Sequence, residues 1–246
     1  MDPDGAGGWR GWADRIAERL AESQDGIAYA NLAVRGRRAG RIRAEQLPVA
    51  LALNPDLASV LAGMNDLIGP RFRLAEVAGE VDAMLEALTG AGATALVFTI
   101  PYPGRANPLT VPIRPRFVAL NESIRASARR TGAVLVDLAR HQVGRDPRLW
   151  SEDRLHGSPE GHRRIAEGAA QALGLPGSDA AWTDPMPLAA RRPVAEVAAA
   201  ELDWHRRHFL PWLAAGIRGR SVAENPGPKR PALSPVVAGT GTGSSA

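Results

Sequence analysis

The chain has 246 residues, 45% of them hydrophobic and 23% charged, which suits a globular domain with a real core; no apolar run reaches the ~18 residues of a membrane span. Cysteine is absent, excluding disulfides, thiolate metal sites and a cysteine nucleophile. Formal net charge is only +4, and the arginines alternate with Asp and Glu ("ADRIAERLAES") instead of forming a basic face, so no nucleic-acid partner is expected.

The N-terminal "MDPDGAGGWRGW" lacks the basic and apolar regions of a signal peptide, and the expected location is cytoplasmic. Residues 9–23 are predicted helical, with Trp9, Trp12, Ile16 and Leu20 on one face and Arg15, Glu18, Arg19 and Glu22 opposite. A β-type run follows at 27–34, then the turn "RGRRAG" and a helix over 41–53 that Pro48 should start or kink. A second strand at 56–63 leads to an amphipathic helix with Leu74, Val77, Val81, Leu85 and Leu88 in register. A third strand spans 94–100; Ile113, Phe117, Leu120 and Ile124 trace the next helix, and 133–138 is a fourth strand. Ser158 is a natural N-cap, Pro159 occupies the first helical position, and Ile165, Ala169 and Leu173 supply that helix's apolar face. Composition changes after "GLPGSD" (174–179). Residues 193–215 suggest one further helix, in which His205 and His208 lack a third metal ligand and read as packing or surface residues. From 221 onward Pro, Gly, Ser and Thr dominate, as in a disordered tail.

Near-continuous apolar strands alternating with helices predict a parallel sheet covered on both faces, with ligands at the strands' carboxyl ends. Three polar stretches fall there: Asn31 and Gly36 in "NLAVRG", Gly63, Asn65 and Asp66 in "GMND", and Asp153 and His156 in "DRLH". A histidine three residues after an aspartate can move protons near neutral pH, with the carboxylate fixing its tautomer. His162, next on the following helix, reads as a helix-surface residue.

In that order, these residues resemble the short sequence blocks of the SGNH or GDSL hydrolases, over roughly residues 9–175. The resemblance implies a flavodoxin-like three-layer α/β/α fold with a parallel sheet, here in a domain over 1–178 followed by a helical extension (179–220) and the tail (221–246). It implies a serine esterase acting on a small acyl ester without metal or other cofactor. His156 would be the acid–base group, Asp153 its carboxylate partner, and the Gly36 N–H and Asn65 amide the oxyanion donors, supported by Asn31, Gly63 and Asp66.

The family's Gly-Asp-Ser block is not in the sequence. Ser59 falls within a predicted strand, Ser158 serves as N-cap, Ser23, Ser123 and Ser127 lie on outer helices, and Ser151 shares the loop of His156. The expectation is that the first, central strand and its serine are missing through a start codon assigned too far downstream, leaving this chain inactive and two strand edges bare. The alternative is a non-catalytic pseudoenzyme or binding module.

Overall fold

The computed structural model describes residues 2–3, 9–104, 106–188, 193–211 and 227–237. A short antiparallel pair, β1 (Asp2–Pro3) and β2 (Trp9–Arg10), leads into α1 (Trp12–Gln24). Ile16, Ala17 and Ala21 of α1 are buried, and the Trp12 ring meets Phe98 at a centroid distance of 4.5 Å. Trp9, expected on the same buried face, precedes the helix and is 53% exposed.

Strand β3 (Ile27–Asn31) is followed by two helices where one was predicted, α2 (Ala39–Glu45) and α3 (Leu47–Ala52). Pro48 explains the break: it has no N–H to continue a helical ladder and sits in the first turn of α3. Then come β4 (Leu57–Val60), the single turn α4 (Met64–Leu67), α5 (Leu74–Gly90) and β5 (Thr94–Phe98). The domain continues through α6 (Arg114–Thr131), β6 (Val134–Val136) and α7 (Pro159–Ala172). Beyond it lie α8 (Val194–Trp204), prolonged by a π-helical turn His205–Phe209, and β7 (Arg230–Val236).

β4, β5 and β6 form a parallel sheet in that order, with Val60 beside Val97 and Leu96 beside Val134. Alternation along β5 assigns its two faces. Ala95 and Val97 join the core under α5 and α6, while Leu96 and Phe98 join a second core with Ile16 of α1 and Ala169 of α7. Helices therefore cover both faces of the sheet, and each fully buried Leu, Val or Phe contributes about 1.5–3 kcal/mol.

The first predicted strand departs from the expected sheet. β3 pairs antiparallel with β7 (Ala28 opposite Pro235, Tyr29 opposite Ser234), and among the described residues it does not pair with β4. Every residue of β3 and of β4 instead lines one cavity of about 1450 Å³, bounded also by Trp12, Ile16 and Leu20 of α1. Among the described residues β3 and β4 therefore flank this cavity without pairing with each other.

The strand at 230–236 corrects the expectation of disorder from 221 onward, while 221–226 and 238–246 lie outside the described residues. An edge strand is made by backbone hydrogen bonds and tolerates Pro231 and Pro235, so little side-chain periodicity marks it. Lys229 anchors its start, donating to the Trp9 carbonyl at 2.6 Å and to Asp14 Oδ2 at 3.1 Å. Removing residues 228–246 should cost about 2 kcal/mol and lower Tm by about 4–8 °C, checked by calorimetry with removal of 238–246 alone as control.

At the start of α7, Ser158 Oγ accepts from the Gly161 N–H at 3.1 Å, as an N-cap should. Glu160 then accepts from Arg163 at 2.7 Å and from Arg164 at 2.8 Å, and Arg164 in turn holds the Trp182 carbonyl at 2.8 Å. The Arg163 hydrogen bond lowers the Glu160 carboxyl to about 2, from an ordinary 4.5. A carboxyl depressed on folding contributes stability that is present above its unfolded value and lost as pH falls through the folded one. Glu160→Gln should therefore cost about 1 kcal/mol after allowance for solvent screening. In urea unfolding, its deficit against wild type should hold steady above pH 4.5 and close between 4.5 and 2.

Candidate active site

The loop between β6 and α7 folds around one carboxylate. Asp153 Oδ1 accepts from Ser151 Oγ at 2.7 Å and from the backbone N–H groups of Leu155 and His156, each at 3.0 Å. Asp153 Oδ2 takes His156 Nδ1 at 2.5 Å. The Ser151 N–H donates to the His156 carbonyl at 2.8 Å, and Trp150 bridges to Gly157, which closes the loop's neck. Burial by itself would raise the Asp153 carboxyl; the hydrogen bond and charge of His156, with Ser151 and the loop N–H, outweigh it and hold the group far below the usual carboxylate range. An ionised carboxylate can only accept, so Nδ1 carries the proton and Nε2 is the nitrogen left for chemistry.

His156, Asn31, Gly36 and Asn65 all line the cavity between β3 and β4. The three segments singled out in the sequence thus converge on one opening. Gly36 has φ +77°, a left-handed turn that suits glycine. Its neighbour Arg35, which sequence reasoning passed over, places a guanidinium nitrogen 3.5 Å from each ring nitrogen of His156. Arginines are too common here for that one to have stood out. Asn31 is tied into its own loop, donating to the Tyr29 hydroxyl at 3.1 Å and accepting from the Ala33 N–H at 3.1 Å.

Gly63 caps α4 with φ +106°, and a Cβ there would lie 2.8 Å from Leu120 Cδ2, so the position accepts glycine for two separate reasons. The Asn65 amide donates to the Arg37 carbonyl at 2.9 Å, and an amide NH₂ has a second hydrogen to offer. Asp66 Oδ2 accepts from the N–H of Ala39, the first residue of α2, at 3.0 Å. Burial raises its carboxyl against the pull of that bond. Asp66 therefore holds the α2 entrance against the α4 turn, and like Gly63 it has a plainly structural task.

The serines fall where their hydrogen bonds put them. Ser151 Oγ faces Asp153, Ser158 Oγ also donates to the Arg148 carbonyl at 2.8 Å, and Ser23, Ser123 and Ser127 bond carbonyls of their own helices. Ser59 lines the cavity from the middle of β4. His162, expected on a helix surface, accepts from the Trp12 N–H at 3.3 Å and joins α7 to the start of α1. His205 Nδ1 lies 2.7 Å from the Glu201 carbonyl, a helix contact. No group of three metal-ligating side chains occurs among the described residues, and no described helix is long and apolar enough to cross a membrane.

No curated protein matches this chain in sequence. Solved structures do match its fold. A variant of Axe2, an acetyl xylan esterase from Geobacillus stearothermophilus, superposes with TM-score 0.59 at 19% identity, covering 71% of this chain and 85% of its own. LAE5, an α/β hydrolase from the metagenome of Lake Arreo, gives 0.54 at 18% identity, covering 71% and 86%. The psychrotrophic esterase EstA from Pseudoalteromonas gives 0.54 at 17%, covering 67% and 86%. The GDSL-like lipase/acylhydrolase family model matches residues 2–164, a span that holds Asp153 and His156 and all three converging segments, and the chain belongs to that family.

Proposed function

We propose that the protein's chemistry is the hydrolysis of a small acyl ester through an acyl-enzyme, with His156 taking the nucleophile's proton and returning it to the leaving alcohol. The observation that carries this reading is the 2.5 Å Asp153–His156 pair at a cavity that Gly36 and Asn65 also line. Family membership supplies the ester class of substrate. Asp153 keeps the imidazole in one tautomer and offsets the charge it gains. The Gly36 N–H and the Asn65 amide face the oxyanion, where losing one such donor commonly costs roughly 3 kcal/mol.

The nucleophile required at His156 Nε2 is a serine hydroxyl; of the serines described above only Ser59 lines the cavity, from within β4, and among the described residues no hydrogen bond joins it to His156. Without such a hydroxyl at His156 the chain is expected to be silent or nearly so as an esterase. One observation favours the second reading, a binding module that keeps the cleft without the chemistry: Arg35 stands 3.5 Å from both nitrogens of His156.

Hydrolysis of p-nitrophenyl acetate and labelling by a fluorophosphonate separate these readings. In any form of the protein that turns the ester over, His156→Ala should lower kcat by about 10⁴-fold, and Asn65→Ala by about 10²-fold with a smaller change in KM. The chain of 246 residues should show only the His156→Ala background. Turnover that depends on His156 and is also lost in Ser59→Ala would name Ser59 as the nucleophile and overturn the assignment. Turnover indifferent to His156→Ala would remove His156 from the chemistry and overturn the assignment, whereas a protein that binds the ester in every form and turns it over in none would leave the binding module.

A further inference from the structure

Between Asp153 and His156 stands Arg154, whose backbone is left-handed at φ +58°. That conformation costs an L residue free energy and persists only when its surroundings enforce it. Its side chain reaches out of the loop to α8. Two guanidinium nitrogens donate to the two carboxylate oxygens of Glu201 at 2.8 and 2.7 Å, the parallel fork that arginine makes best. The same guanidinium lies over the Trp204 ring, 4.4 Å from its centroid. On the other side of the loop, the Arg154 carbonyl accepts from the Asn107 amide at 3.4 Å. Arg154 is 17% exposed and Trp204 is buried, so both contacts are shielded from water on at least one side.

Glu201 and Trp204 lie one turn apart on α8, so a single helix face supplies both partners. That helix begins at Val194, thirty residues past the end of the family match at 164. We infer that α8 is a clamp on the acid–base loop: through Arg154, Glu201 and Trp204 act as positioning residues that hold the turn in which Asp153 and His156 meet. The physical chain is short. The Arg154 N–H also donates to the Ser151 carbonyl at 2.9 Å, so the guanidinium is one of several restraints on the left-handed backbone at 154. Releasing it lets the loop relax more often at the residue next to Asp153, and the N–H groups of Leu155 and His156 then lose their register on that carboxylate. A segment outside the span of the family match thereby helps to set the geometry of the acid–base pair. The inference rests on the reading of Asp153 and His156 as that pair only for its functional meaning; the mechanical link stands on the contacts alone.

Amide hydrogen exchange by NMR on the full chain tests it without an ester or a nucleophile, so its failure and failure of the esterase reading are distinguishable. Glu201→Gln keeps the shape and removes the charge; Trp204→Ala removes the stacking platform. Each should speed exchange at Leu155 and His156 about tenfold. The amide of Val97 in β5 should stay unchanged, and the bonded Nδ1 proton of His156 should broaden. Glu201→Asp, which keeps the charge, should recover most of the protection. Unchanged exchange at Leu155 and His156 in both variants would overturn the clamp, leaving α8 as a helix that only packs. An equal rise at Val97 would overturn it too, because the effect would then be loss of global stability.

Discussion

Four successive residues of β5, Ala95 to Phe98, are each only 1% exposed, and the strand is hydrogen-bonded on both edges. Because side chains alternate, sliding β5 by one residue would exchange its two faces and set each core's side chains against the wrong helices. The register is thus fixed, and with it the place where the chain leaves the sheet. Just beyond the strand, the buried Asn121 of α6 accepts from the Ile100 N–H at 2.7 Å and donates to its carbonyl at 2.8 Å, pinning the exit of β5. Thr99 Oγ1 bonds Asp137 at 2.9 Å and so couples that exit to the end of β6. Asn107, which follows in the chain, donates to the Arg154 carbonyl at 3.4 Å and ties the acid–base loop to the same frame.

Two aspartates near the cleft show how surroundings separate tasks among identical side chains. Asp153 receives four donors and is held ionised, so it cannot itself act as an acid and is confined to orienting His156. Asp66 is pushed the other way by burial, and its Ala39 bond joins two helix starts. Both follow a glycine or polar turn in the sequence and look equally functional there. Only the count and charge of the donors around each carboxylate tells them apart.

What could be read from the sequence was local. Ser158 and Pro159 mark the start of α7 because an N-cap involves neighbours three residues apart, and the α5 stripe from Leu74 to Leu88 is a helical period over one segment. Asp153 and His156 were legible for the same reason, their contact being made within a single turn. The contacts that escaped notice join distant positions through groups with no signature of their own. β7 meets β3 through backbone hydrogen bonds about two hundred residues apart, and two prolines disguise it. Arg154 finds Glu201 across 47 positions, in a chain where arginine is the ordinary surface cation. Periodicity alone puts Trp9 on a helical face, but Gly11 is the N-cap of α1 and leaves Trp9 in the preceding strand.

The pairing of β3 with β7 also orders events during synthesis. Ile27–Asn31 leaves the ribosome about two hundred residues ahead of Arg230–Val236. A contact of such sequence separation pays its loop-closure entropy late. At a typical elongation rate of roughly 5–20 residues per second, β3 waits on the order of ten seconds or more for its partner. During that interval its backbone donors and acceptors are open to whatever strand passes, and the growing chain depends on the ribosome's surroundings to keep them unoccupied.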